Sequence, residues 1–168
     1  NYQAASVADM VAGTPVTIPV GRTCLVSGSL FIRESNSNGD ITDFKALTKV
    51  NLSAFGVTNS GNEYQKILDW LNSGDELVLD SDARTESAIA VSLSGKKITG
   101  NKTITFSSAV TGTSGIEITG SDNKWIGGHL VHEGGVDSVS NLALFTGDRN
   151  RFENVEGKFL SDIAFGDT

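Results

Sequence analysis

The stretch GIEITGSDNKWIGGHLVHEGG, residues 115–135, alternates apolar with polar residues, breaks at a knot of Gly, Ser, Asp and Asn, and resumes at Trp125. Alternation with a period of two marks a half-buried strand, so the stretch holds at least two of them. A hairpin would restart once, whereas a stack of strands restarts at a regular interval along the chain. The interval is 27 residues. At that spacing Ile89, Ile116 and Ala143 align, as do Val91, Ile118 and Phe145, and Ile98, Trp125 and Phe152. Polar columns agree: Lys97, Lys124 and Arg151 coincide, and so do Asn123 and Asn150. Like over like at a fixed long period predicts parallel strands stacked on their own equivalents, a β-helix. A sandwich instead spaces its strands by about 8 to 12 residues with no long period. Asn123 and Asn150 stand where the coil must bend, and the expectation is that they supply left-handed backbone there.

The remaining segments fill out this plan. KTITFSS (102–108), HLVHE (129–133) and KFLSDIAF (158–165) read as further strands, giving two or three per coil. Gly127, Gly128, Gly134 and Gly135 read as corners or bulges, since no GxxxxGK[ST] phosphate loop is present. Residues 60–75, SGNEYQKILDWLNSGD, differ: Tyr64, Ile67, Leu68 and Leu71 recur at helical spacing, with Asn62 as N-cap and Gly74 as stop. A stacked coil leaves its first edge open to water and to other strands, so a helix placed just before it suits a cap. Trp70 lies off the main stripe and is expected to pack within the chain. The division expected is a β-rich lead-in over 1–50, a connection and capping helix over 51–75, and truncated β-helix coils over 76–168.

Composition bounds the function. The chain has 168 residues, 19 glycines against 2 prolines, and a formal charge of −7, which argues against nucleic acid and anionic membrane as partners. Cys24 is the single cysteine, so no internal disulfide forms. No run of about 18 apolar residues suggests a membrane span. The opening NYQAASVADM has neither an initiating Met nor a signal peptide, which suggests a piece of something longer.

The run VNLSAFGVTNSGNEYQKILDWLNSGDELVLDS, from Phe55 and Gly56 through the 62–72 helix to Glu76–Asp80, resembles the opening of pectate-lyase-like right-handed β-helix proteins. The preceding SVADMVAGTPVTIPVGRTCLVSGSLFIRES looks like the segment before that opening in bacteriophage tailspikes. Many relatives carry an Asp before the Phe-Gly pair, where this chain has Ala54. The resemblance implies an all-β fold, a right-handed single-stranded parallel β-helix with an N-terminal capping helix. It implies a homotrimeric tail protein, associated with other tail proteins of a virion, that binds or cuts the capsule or O-antigen polysaccharide of a bacterium. No cofactor is implied.

Depolymerases of this kind are hydrolases with paired carboxylates or lyases with a base beside a neutralising cation. Glu133 and Asp137, with His129 and His132, form the densest titratable cluster and supply the catalytic candidates. Alternation places His132 with Leu130 on one face and His129, Val131 and Glu133 on the other, so the histidines do not converge and no metal site is expected. Lys124, Trp125 and Arg151 are the candidates for gripping an acidic sugar. The plainer reading of all these groups is solvated strand and loop. Only three to four coils follow the helix, so the expectation is a fragment that stops short of the active groove and is inactive alone. A non-catalytic glycan-binding or structural module, and a secreted polysaccharide hydrolase or lyase, are the alternatives.

Overall fold

The computed structural model describes residues 2–135 and 137–160, and its regular structure is mostly strand, arranged in several parallel sheets with two short α-helices and two single 3-10 turns. The lead-in runs β1 (Tyr2–Ala4), α1 (Val7–Ala12), β2 (Thr23–Val26), β3 (Ser29–Arg33) and β4 (Phe44–Ala46). β1 and β2 pair in parallel across α1, and β2, β3 and β4 follow as antiparallel neighbours. Ser27 and Gly28 join β2 to β3 with positive φ at both positions (43° and 81°), the turn that matches strand twist. The longer connection between β3 and β4 is organised by one side chain. Asp43 accepts from the hydroxyl of Ser35 and from the backbone N–H groups of Ser37, Asn38 and Gly39 at 3.1, 3.2 and 2.8 Å. These donors hold its carboxyl well below the usual carboxylate range, the Ser35 hydroxyl contributing most. The exposed SNSNGD stretch is therefore wrapped around a buried anion.

From β5 (Val50–Asn51) the chain passes α2 (Tyr64–Asn72) and then β6 (Glu76–Leu79), β7 (Ala83–Thr85) and β8 (Ile89–Ser92). It continues through β9 (Lys97–Gly100), β10 (Thr103–Phe106), β11 (Gly112–Thr119), β12 (Lys124–Ile126), β13 (His129–His132), β14 (Val139–Thr146), β15 (Arg151–Glu153) and β16 (Glu156–Phe159). Successive strands visit three parallel sheets in rotation. Sheet I is β5-β6-β9-β12-β15, sheet II is β7-β10-β13-β16 and sheet III is β8-β11-β14. Each passage through the three is one circuit.

The register matches the sequence columns. Ile98, Trp125 and Phe152 are direct partners in sheet I, beside Lys97, Lys124 and Arg151. Ile89, Ile116 and Ala143, and Val91, Ile118 and Phe145, are partners in sheet III. The first circuit is shorter, Leu77 facing Ile98 only 21 positions on. Before the last circuit the inward columns are closed from water: Ile98, Ile116, Trp125 and Leu130 all have 2% exposure or less.

The corners differ from expectation by one residue. Left-handed backbone falls on Gly95, Asp122 and Arg149, with φ of 72°, 63° and 56°, and not on the asparagines that follow the last two. Asn123 and Asn150 instead form a ladder. Asn150 Oδ1 accepts from Asn123 N at 2.9 Å, Asn123 Oδ1 accepts from Lys96 N at 3.1 Å, and both side-chain amides donate to carbonyls one circuit back. Asn123 is 2% exposed, so these bonds satisfy its own buried amide together with backbone groups at the corner.

The first circuit is closed by α2 and its flank. Ile67, Trp70 and Leu71 are fully buried, and Trp70 Nε1 donates to the Val50 carbonyl at 3.0 Å, which is the intrachain packing expected of it. The helix begins at Tyr64, and the Asn62 side chain accepts from Tyr64 N and from Glu86 N. Glu63 carboxylate oxygen accepts from Arg84 N at 3.1 Å, and Glu63 N donates to the Arg84 carbonyl at 2.9 Å. The open edge of β7 is thus answered by helix-flank residues. Gly74 does not stop α2 through a positive φ; a Cβ there would lie 2.9 Å from Val50 Cγ2, so the position is glycine for close packing. Core residues run without a break from Met10 and Phe31 through Trp70 to Trp125.

Trp70 and Trp125 are both 0% exposed, yet only Trp70 has a partner for its indole N–H among the described residues. A lost buried hydrogen bond costs about 1–2 kcal/mol, whereas removing an unpaired donor costs nothing of that kind. Trp70→Phe is therefore expected to destabilise the chain by about 1–2 kcal/mol more than Trp125→Phe. Urea unfolding of both variants checks this, and equal losses would contradict it.

Candidate functional site

Strand alternation decides which candidate side chains reach solvent. On β13, Leu130 and His132 are buried while His129 and Val131 face outward, as the sequence indicated. His132 lies inside, 0% exposed, with Nδ1 accepting from Gly134 N and Nε2 donating to the Val110 carbonyl, both at 2.9 Å. Its ring packs 5.8 Å from that of Phe159 in the next circuit. Both nitrogens are committed, so His132 is a core residue.

The outer face of sheet II gathers the reactive groups. His129 is flanked in register by Thr103 on β10 and Glu156 on β16, and its Nδ1 is 3.1 Å from Glu156 Oε2. Lys158 is the register partner of Val131 on the same face. A shallow cleft of about 330 Å³ runs between Thr103, His129, Val131, Glu156 and Lys158. With Nδ1 turned to a carboxylate, the imidazole keeps Nε2 for a ligand hydroxyl, and Lys158 offers a cation to a ligand carboxylate. Sequence reasoning missed Glu156 and Lys158. The signal was there: Glu156 stands 27 positions after His129, and the parallel register brings them together.

Glu133 is held differently. Arg84 donates from Nε and Nη2 to its two carboxylate oxygens at 3.1 and 2.9 Å, a bidentate pair spanning two circuits, and donates from Nη1 to Glu86 at 2.8 Å. The Arg84 guanidinium pulls the Glu133 carboxyl below its ordinary value, outweighing the opposing effect of partial burial. A general acid needs the reverse shift, so the geometry makes Glu133 a clamp between circuits. Asp137 is exposed in the connection to β14, without a partner among the described residues. No free carboxylate pair is assembled by these two.

The three sugar-gripping candidates separate likewise. Trp125 is sealed inside sheet I, between Ile98 and Phe152, and presents no ring to a surface ligand. Lys124 and Arg151 do form an outward basic column with Lys97, but Glu153 takes both, at 3.0 Å to Lys124 Nζ and 2.7 Å to Arg151 Nε. The two cations share this one carboxylate, and Lys124 and Arg151 together hold the Glu153 carboxyl low, Lys124 most. Among the described residues no group of three or more His, Cys, Asp or Glu side chains is placed to hold a metal ion. No helix among them is long and apolar enough to cross a membrane. Residues 161–165 of the last expected strand lie outside the described residues.

Comparison with protein-family models, with curated proteins and with solved structures finds no match.

Because the paired Glu133 titrates below its unfolded value, the stability it contributes is present above about pH 4.3 and is lost as pH falls through the folded value. NMR titration of the Glu133 carboxyl carbon should give a midpoint below that of a free glutamate, moving upward in Arg84→Met. A midpoint at or above the free value with Arg84 intact would show the clamp absent.

Proposed function

We propose that this chain is the opening part of a right-handed parallel β-helix of the tailspike type, which recognises bacterial surface polysaccharide. Three parallel sheets visited in rotation, with a 27-residue register along sheet III and from β9 onward in sheet I, and closed at the start by a helix, support the architecture. The right hand follows from the strong preference of crossovers between parallel strands. The observation that carries the function is the outer face of sheet II, where hydroxyl, imidazole, carboxylate and ammonium line one shallow cleft. Sugars are held by such sets: hydroxyls take bonds from imidazole and carboxylate, and an acidic sugar carboxylate takes the ammonium.

In this reading the full protein is a homotrimer in a virion tail, associated with other tail proteins, and acts on a capsule or O-antigen. Chain cleavage belongs to groups other than Glu133 and Asp137. The engaged state of Glu133 favours a second reading of these circuits as a binding module without turnover.

The test is titration of purified capsule and O-antigen polysaccharides into the 168-residue chain, with reducing ends assayed in parallel. Binding without reducing-end release is expected, weakened about tenfold, or about 1.4 kcal/mol, in His129→Ala and in Lys158→Ala. Release of reducing ends that vanishes in Glu133→Gln would overturn the assignment of Glu133. Binding unaffected by either cleft substitution would overturn the assignment of the cleft.

A further inference from the structure

Asn38–Gly39 is the one Asn-Gly pair in the sequence, and it lies in the connection between β3 and β4. Both residues are exposed, so water and its ions reach them. Glycine has no Cβ to shield its own nitrogen, which leaves this pair open to attack of that nitrogen on the side-chain amide before it. In this loop both reacting groups are held. Gly39 N donates to Asp43 Oδ2 at 2.8 Å, a charge-assisted bond, and Asn38 Nδ2 donates to Thr42 Oγ1 at 2.8 Å. The carboxylate is fixed in turn by the Ser35 hydroxyl and by Ser37 N and Asn38 N at 3.1 and 3.2 Å. The Asp43 backbone is anchored separately: Glu34 N and Ser35 N donate to its carbonyl at 2.8 and 3.3 Å, and Phe44 pairs with Arg33. The cradle can therefore open while β3 and β4 stay paired.

We propose that Asn38 is a deamidation site kept latent by the Asp43 carboxylate, and that its conversion opens this loop in one direction only. In the reaction Gly39 N gives its proton to a solvent base and bonds to Asn38 Cγ. The bond from Cγ to the side-chain nitrogen breaks, and that nitrogen leaves as ammonia with a proton from water. Water then opens the cyclic imide at either carbonyl, leaving aspartate or isoaspartate at position 38. Asp43 opposes the first step twice: it occupies the N–H that must be given up, and its charge disfavours the amide anion that forms. The Thr42 hydroxyl meanwhile pins the amide under attack. Conversion therefore waits for local opening of the loop. Once isoaspartate has formed, the backbone between positions 38 and 39 is longer by a methylene and position 38 carries a new carboxylate. The two N–H groups at 38 and 39 then no longer meet the Asp43 carboxylate together, and like charges face each other where one charge was wrapped. The loop does not close again.

Nothing in this chemistry draws on glycan recognition, so either can fail alone. The test is incubation of the 168-residue chain in mildly alkaline buffer, folded and in guanidinium, with loss of Asn38 followed by peptide mapping and mass spectrometry. Ser35→Ala and Asp43→Ala are treated alike, with circular dichroism reporting their fold. The folded parent should lose Asn38 about thirtyfold more slowly than the unfolded chain, the protection expected of one charge-assisted hydrogen bond. Folded Asp43→Ala should approach the unfolded rate, and Ser35→Ala should fall between. Equal rates for the folded and unfolded parent would overturn the proposal, as would a folded Asp43→Ala as slow as the parent. If Asp43→Ala does not fold, Ser35→Ala decides, and a rate equal to the parent's counts against the guard. In the converted chain, NMR titration of the Asp43 carboxyl carbon should move up from its low midpoint toward that of a free aspartate, because backbone donors have left it. An unmoved midpoint would show the loop closed again and overturn the one-way claim.

Discussion

A parallel strand leaves half of its backbone groups unmet until another strand lies beside it, and everything in this molecule answers that demand. Each circuit satisfies the one before it and exposes the same need one step higher. Stacking in register makes the inward residue of one circuit the floor for its equivalent, which is why Ile98, Trp125 and Phe152 are alike and 27 residues apart. It also explains the Asn123 and Asn150 ladder, since a side-chain amide at a corner can bridge backbone groups one circuit away where the strands have ended.

The demand has to be met once at the beginning by something other than a strand. Here α2 lies over the first circuit, and its flank lends a carboxylate and an amide to the edge of β7 while its indole takes the β5 carbonyl. Aggregation through that edge is thereby blocked. Glu63 is the key group, with Thr58 N, Asn59 N and Arg84 N all donating to a carboxylate that is 3% exposed. The outer face of sheet II carries both the Arg84–Glu133 clamp and, at the strand spacing of about 4.8 Å, residues such as His129, Glu156 and Lys158.

Much of this was legible because stacking writes itself into the sequence as repetition. The columns in sheets I and III, the helix and the split of His129 from His132 all follow from periods of 27, 3.6 and two. What was not legible lacks a period or breaks it. The 21-residue first circuit hides Leu77 from a search at 27. Arg84 meets Glu133 from 49 positions away, and no local pattern announces that pair. Asp43 looks like one more polar residue after SNSNG, and only the folded loop shows five donors turned toward it. Trp125 is instructive in a different way. Its membership of an apolar column already placed it inside, and a ring in that column is not free to stack on a sugar.

The register of neighbouring circuits is the claim on which the fold and the outer cleft both depend. It can be measured directly in a Cys24→Ser background by pairing Thr99→Cys with Ile126→Cys, which are direct partners on the outside of sheet I. Mild oxidation should join that pair rapidly, because partners on adjacent strands lie within disulfide reach. The offset pair Thr99→Cys with Arg151→Cys lies two circuits apart and should stay reduced. Rapid closure of the offset pair, or failure of the in-register pair in a folded chain, would contradict the stacked arrangement.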